Sequence, residues 1–171
     1  MTVAAAILAA GESRRLGRRK QLVEIEGEPL LRRTARIALA SRADRVAAVL
    51  GAYREEIEPS LAGLAVEVVD NPEWREGMGS SIRAAVAWAR GAEFLLLLVC
   101  DQPHLATPHL DALIARRALV GSRYAGTIGV PALVPAERFD DLAALRGDRG
   151  ARGMFVDAID WEPGSIDLDV D

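Results

Sequence analysis

Residues 94–99 read Phe-Leu-Leu-Leu-Leu-Val, with no polar residue to break the run. A strand with one wet face alternates apolar and polar positions. An unbroken run this short fits a central strand buried on both faces, as in a parallel sheet. Such a sheet needs helices packed on each side. The rest of the chain supplies the alternation. Val3–Leu8 is a second apolar run and Arg45–Leu50 a third. Helical spacing covers 30–40, with Leu31, Thr34, Ala35 and Ala38 on one stripe, and 80–90, with Ile82, Ala85, Val86 and Ala89 facing inward. A short helix is predicted over 53–61, broken near Pro59, and a strand over 64–69 that stops at Asp70-Asn71-Pro72. Thr107-Pro108 reads as an N-cap and first helical proline for a helix continuing over 110–118. Strands near Tyr124 and over 131–134, helices near 138–145 and 151–158, and a late edge strand over 166–170 complete the pattern. The expectation is one α/β domain over 1–171, three layers thick, with a mostly parallel sheet.

Composition narrows the function classes. The chain has 171 residues, half of them apolar, and a net charge of −4. That is enough chain for a real core, and it argues against disorder and against a broad nucleic-acid footprint. The single cysteine, Cys100, excludes an internal disulfide and a cysteine-rich zinc site. No basic segment precedes the first apolar run, and no run is long enough to span a membrane. A cytoplasmic protein without membrane contact is expected.

Chemistry concentrates first between Leu8 and Leu22. This stretch follows the first predicted strand and holds Gly11, Gly17, Ser13 and five cations. Lys20 is the only lysine among 21 basic residues. A chain that uses arginine everywhere else has a compact point charge here instead of a planar fork. A glycine-containing turn dense in N–H groups and cations suits polyphosphate. Its place at the first strand–helix junction is where open α/β sheets bind ligands. A solvated basic loop is the plainer alternative.

Three further stretches are candidates. Asp101, in Cys100-Asp101-Gln102-Pro103, ends the most apolar strand. It is either a Mg²⁺ ligand, since that ion takes one or two carboxylates plus substrate phosphates, or an ordinary turn residue. Gly77-Met78-Gly79-Ser80-Ser81 leads into a helix and is either a phosphate- or base-binding start or a well-capped turn. It lacks the third glycine of a dinucleotide fingerprint, and the first loop lacks the Gly-Lys-Ser/Thr of a P-loop. Arg146-Gly147-Asp148-Arg149-Gly150 reads as a solvated loop with Asp148 capping the next helix. His104 and His109 have no partners at metal spacing and read as structural or solvent-facing. Cys100 reads as a small core residue with no base beside it. Trp88 is expected in the core, and Trp74 under the glycine–serine loop.

Taken in order, these stretches resemble the molybdenum cofactor nucleotidyltransferases, in their cytidylyltransferase branch. The Leu-Ala-Ala-Gly-x-Ser-x-Arg-x-Gly-x-x-Lys-x-Leu element is matched at Leu8, Ala9, Ala10, Gly11, Ser13, Arg15, Gly17, Lys20 and Leu22. The Asn-Pro-x-Trp-x-x-Gly-Met-Gly-Ser-Ser, Asp-Gln-Pro and Gly-Asp-x-Gly-Ala-Arg elements follow in the same order. The resemblance implies a Rossmann-like nucleotidyltransferase fold and a Mg²⁺-dependent reaction. In it, molybdopterin phosphate attacks the α-phosphate of a nucleoside triphosphate and pyrophosphate leaves. It further implies that Leu8, Ala9, Ala10, Gly11, Ser13, Arg15 and Lys20, with Gly79, Ser80 and Ser81, hold the nucleotide. Lys20, Arg15 and Asp101 would carry catalysis, and Asp101 the metal, joined by Asp169 or Asp171. Ala10-Gly11, where the guanylyl branch usually has Gly-Gly, points to CTP, as does the Gly77–Ser81 segment. Val130 stands where many members carry a polar residue facing the pterin. The product would pass to a molybdenum hydroxylase or its maturation factor.

The residues are sufficient for this chemistry. A phosphate monoester with a second pKa of about 6 is largely dianionic at neutral pH and needs no general base. Two other classes remain open on the same scaffold: guanylyl or other nucleotidyl transfer to a sugar or small phosphate, and a non-catalytic module that binds and delivers a nucleotide or cofactor.

Overall fold

The structure is a computed structural model that describes residues 1–13 and 17–164. The strand predicted over 166–170 lies outside them. The chain opens with β1 (Val3–Leu8), then a two-stranded ribbon of β2 (Glu24–Ile25) and β3 (Glu28–Pro29). There follow α1 (Leu30–Leu39), β4 (Arg45–Leu50), α2 (Arg54–Ile57), β5 (Glu67–Asp70), α3 (Met78–Ala89) and β6 (Phe94–Val99). The last part holds α4 (Thr107–Arg116), β7 (Val120–Tyr124), β8 (Thr127–Pro135), α5 (Phe139–Ala143) and β9 (Ala158–Asp160).

Seven strands form one sheet in the order β5-β4-β1-β6-β8-β7-β9. Neighbours run parallel except at β8, which is antiparallel to both β6 and β7. The centre of the sheet splits its side chains between two cores. Val3, Ala5 and Ile7 of β1 and Leu96 and Leu98 of β6 join Leu31, Ala35 and Ala38 of α1 and Leu110 and Leu113 of α4. Ala4, Ala6 and Leu8, with Leu95 and Leu97, join Ile82, Ala85 and Val86 of α3 and Phe139 and Leu142 of α5. This is why 94–99 has no polar position: both faces of β6 are covered. The three-layer α/β expectation holds.

Several local expectations are corrected. The helix predicted over 151–158 is a single 3₁₀ turn, Arg152–Met154, followed by β9. β9 pairs in parallel with β7 and closes the sheet edge. The strand predicted over 64–69 is shifted to Glu67–Asp70, where register with Ala47 to Leu50 of β4 fixes it. The short helix over 53–61 divides into α2 and a 3₁₀ turn, Glu58–Leu61, with Pro59 at the break. Thr107 is not a cap: it is the first residue of α4, and its hydroxyl donates to the Ile37 carbonyl at 3.0 Å. Trp88 is half-buried, its indole N–H donating to Glu67.

His109 is a core residue. Ser122 Oγ donates to the Pro131 carbonyl at 2.7 Å and lies 2.7 Å from His109 Nε2. The hydroxyl hydrogen is committed to Pro131, so Nε2 carries the proton and donates. The imidazole stacks on Trp161 at 4.6 Å. Burial lowers its pKa to about 4. The unfolded chain therefore takes up a proton near pH 6.5 that the folded chain refuses until about pH 4, and stability falls as pH drops through that window. The expected loss by pH 4 is about 3 kcal/mol. Urea unfolding at pH 7 and pH 4.5 should show it, and His109→Phe should flatten the difference. An equal slope in that variant would assign the acid sensitivity to carboxylates.

Candidate active site

The ends of β1, β4, β5 and β6 lie on one edge of the sheet, as their parallel register requires. The loops that leave them build two adjoining cavities. The first, of about 510 Å³, is lined by Leu8, Ala9, Ala10, Gly11, Glu12, Lys20, Trp74, Arg75, Gly77, Met78, Ser81, Val99, Asp101 and Asp148. The second, of about 310 Å³, shares Leu8, Met78, Val99 and Asp101 with it and adds Ile82, Gln102, Tyr124, Gly129, Val130, Gly150, Ala151, Arg152 and Phe155. Asp101 stands where the two meet. Lys20 Nζ lies 3.2 Å from its Oδ2, a pair joined across 81 residues of sequence. Both side chains stay partly exposed, at 34% and 41%, so each can exchange its partner for a ligand.

The loop after β1 is braced from within. Gln21 is fully buried, and its amide N–H₂ donates to the carbonyls of Ala9 (2.9 Å) and Gly11 (3.1 Å). Ser13 Oγ donates to Gln21 Oε1 and accepts from the Lys20 backbone N–H at 3.1 Å. Ser13 thus holds the loop's shape and does not line either cavity. Gly11 faces open space, with nothing within 4 Å of where a Cβ would stand. Among the expected nucleotide contacts, Leu8, Ala9, Ala10, Gly11, Lys20 and Ser81 line the first cavity. Arg15, Asp169 and Asp171 lie outside the described residues.

The start of α3 differs from the sequence expectation. The Gly79 N–H donates to the Gly147 carbonyl at 2.9 Å and the Ser80 N–H to Gly77 at 3.1 Å, so neither group is free for phosphate. Gly79 is a glycine because the 145–150 loop crosses it: a Cβ would meet Gly147 and Arg146 backbone at 3.0–3.1 Å. Ser80 Oγ donates to the Gly77 carbonyl. Arg83 ties the same loop down by donating to the Leu145 carbonyl at 2.8 Å. The reward is Asp148, which caps no helix and instead faces the first cavity. Trp74 packs on Gly51, where a Cβ would come within 2.6 Å, and the Arg75 guanidinium lies 4.4 Å from its ring centre.

In the second cavity, Gln102 Nε2 and the Tyr124 hydroxyl both donate to the Val130 carbonyl, at 2.9 and 3.1 Å. Arg152 is the one guanidinium in its wall. Tyr124 and Arg152 could be found only after folding, because β7, β8 and the 3₁₀ turn bring them together. Cys100 is sealed in the core, and burial pushes its thiol up to about 12, which excludes a thiolate nucleophile. Among the described residues no three carboxylate, histidine or cysteine side chains cluster as a ready metal cage. No helix there is long and apolar enough to cross a membrane.

The MobA-like NTP transferase domain model matches residues 5–160. The purine catabolism protein PucB of Bacillus subtilis is 31% identical over 161 residues, covering 86% of this chain and 78% of that protein. A probable molybdenum cofactor guanylyltransferase of Synechococcus elongatus is 40% identical over 115 residues, 66% of this chain and 57% of that protein. The chain thus spans little more than half of the latter relative's length. The crystal structure of the Mycobacterium tuberculosis Rv0371c homologue from Mycobacterium sp. strain JC1 superposes with a TM-score of 0.83 at 30% identity, covering 96% of this chain and 90% of that one. Rv0371c of Mycobacterium tuberculosis H37Rv, solved in complex with manganese, gives 0.79 at 25% identity over 94% and 90%. With the family model matched over residues 5–160 and these likenesses beside it, the chain belongs to the MobA-like NTP transferase domain family.

Proposed function

We propose that this chain transfers CMP from CTP to the phosphate monoester of molybdopterin and releases pyrophosphate. The observation that carries the reading is the meeting of Lys20 and Asp101 at the boundary of two cavities. The first cavity would take the nucleotide, its triphosphate against Gly11 and Lys20, and the second the acceptor. The acceptor's phosphate oxygen attacks the α-phosphorus, and the bond to the bridging oxygen of pyrophosphate breaks. Lys20, joined by Arg15, neutralises the charge that grows on that oxygen. An already dianionic nucleophile needs no base, in keeping with a buried neutral His109 and a sealed Cys100.

The oxygen donors fit a hard divalent cation. Asp101 and Asp148 both face the first cavity, and one or two carboxylates completed by substrate phosphates suit Mg²⁺. The manganese in Rv0371c supports a divalent ion. Asp101 would hold it, and the ion would neutralise charge on the phosphate oxygens. Ala10 and the Gly77–Ser81 segment support CTP over GTP.

A second reading keeps nucleotidyl transfer and changes the acceptor. Apolar Val130 in the acceptor wall, and the purine catabolism name of a relative matched over most of its length, favour it. A panel of nucleoside triphosphates with Mg²⁺, scored for pyrophosphate release, separates the readings. The expected result is release with CTP only when molybdopterin is added. Release with a sugar phosphate or another small acceptor would establish the second reading. Tight nucleotide binding without release under any condition would make the chain a delivery module.

A further inference from the structure

The neutral polar side chains of the second cavity direct their hydrogens at one carbonyl. Gln102 Nε2 lies 2.9 Å from the Val130 oxygen, and the Tyr124 hydroxyl lies 3.1 Å from the same atom. A backbone carbonyl only accepts. The atom of Gln102 that faces it is therefore the nitrogen, since a turned amide would set two acceptors against each other. The second hydrogen of Nε2 faces the Tyr124 oxygen at 3.5 Å. That leaves Gln102 Oε1, which is buried and has no hydrogen-bond partner among the described residues. A carbonyl oxygen carries no hydrogen, so whatever meets it must donate. A buried acceptor without a donor is costly, and folded chains rarely keep one without a use. Gln102 and both of its partners, Tyr124 and Val130, line the second cavity, and none of the three lines the first.

The rest of the wall identifies what carries that donor. Ile82, Val99, Val130 and Phe155 give an apolar bed, and Arg152 is a guanidinium with no ion pair among the described residues. The charge adjoins the Gln102–Tyr124 cluster: a Cβ on Gly129 would stand 3.1 Å from the Tyr124 hydroxyl and 3.6 Å from Arg152 Nε. An anion suits the guanidinium, and an apolar body suits the bed beside it. The geometry points to Gln102 as a specificity-determining residue for the acceptor. Its Oε1 takes an N–H or O–H of the acceptor's body while Arg152 takes the acceptor's phosphate. An acceptor of the same size and charge without that hydrogen leaves Oε1 unpaired and binds more weakly. This inference rests on the reading of the second cavity as the acceptor site.

Equilibrium binding to the full chain tests it without turnover. The probes are phenyl phosphate and its ortho, meta and para amino derivatives, titrated by calorimetry with Mg²⁺ and tripolyphosphate present to occupy Lys20. The parent chain should bind at least one amino derivative about 10-fold tighter than phenyl phosphate, the worth of one hydrogen bond to an acceptor otherwise left unpaired. Gln102→Leu removes Oε1 and leaves Val130 its Tyr124 donor. It should bind all the probes alike and keep the parental affinity for CTP, because Gln102 lines only the second cavity. Arg152→Ala should weaken all the probes together, which places them in that cavity. A parent chain without preference among the probes would overturn the inference, as would a preference that survives in Gln102→Leu. The comparison within the parent chain needs no variant, so it decides even if Gln102→Leu fails to fold. Equal binding of phenyl phosphate by Arg152→Ala and the parent would overturn the acceptor reading itself, a different result.

Discussion

Asp101→Asn should abolish turnover and leave the fold intact. The carboxylate sits beyond the last residue of β6, partly exposed, and the core beneath it is apolar. Asparagine has the same shape, so packing is preserved. The lost ion pair with Lys20 is solvent-screened and worth at most about 1 kcal/mol to stability. Catalysis is affected differently. Removing the charge that would hold a divalent ion beside the reacting phosphates should cost at least several kcal/mol of transition-state stabilisation, roughly 10²-fold or more in rate. Steady-state rates at saturating Mg²⁺, paired with a melting curve, check both halves. Near-parental activity would make Asp101 a turn residue.

Lys20→Ala should cost about 2–4 kcal/mol in transition-state free energy, comparable to losing one preorganised donor to developing charge. The loss should appear in kcat as well as KM, because charge on the bridging oxygen grows as the bond breaks. Lys20→Arg should also be impaired. The ammonium sits 3.2 Å from Asp101 with its backbone N–H held by Ser13, so both ends of the residue are placed. A longer, planar guanidinium cannot occupy that point and still meet several phosphate oxygens. A solvated basic loop would make the opposite forecast, since one more arginine there would change nothing. Parental kcat and KM in Lys20→Arg would therefore remove the argument from the lone lysine.

The elements that were legible in sequence are those whose signal is local. Phe94–Val99, Val3–Leu8 and Arg45–Leu50 match the observed strands residue for residue, because their interiors are unbroken apolar runs; only β4 opens on a polar residue, the exposed Arg45. β9 was hidden because three residues carry no period; its partner β7, some 37 residues earlier, makes it a strand. The β2–β3 ribbon was hidden for the same reason. Within the site, Lys20 and Asp101 stood out through uniqueness and position. Gln21 did not, since a glutamine beside a basic loop looks like solvent chemistry until its amide is seen bonded to two carbonyls. The Gly77–Ser81 segment leaves a phosphate- or base-binding start and a well-capped turn both open in sequence; the Gly79 N–H bond to the Gly147 carbonyl takes that group away from phosphate, a contact that sequence spacing cannot reveal.

The register of the sheet also dictates when this site can exist. β1 pairs only with β4 and β6, whose facing residues begin at Arg45 and Phe94. β6 in turn closes against β8 at Pro135. Lys20 hangs from the first of these strands and Asp101 from the third. No short-range contact can bring them together, and the chain must close loops of tens of residues first. The β7–β8 hairpin is the one antiparallel pairing in the seven-stranded sheet between strands adjacent in sequence, and its residues line only the second cavity. A partly folded chain in which β6 has not docked lacks the Val99 and Asp101 wall of the first cavity. Ligand affinity therefore belongs wholly to the native state, and a nucleotide-dependent rise in melting temperature would report the whole parallel half of the sheet.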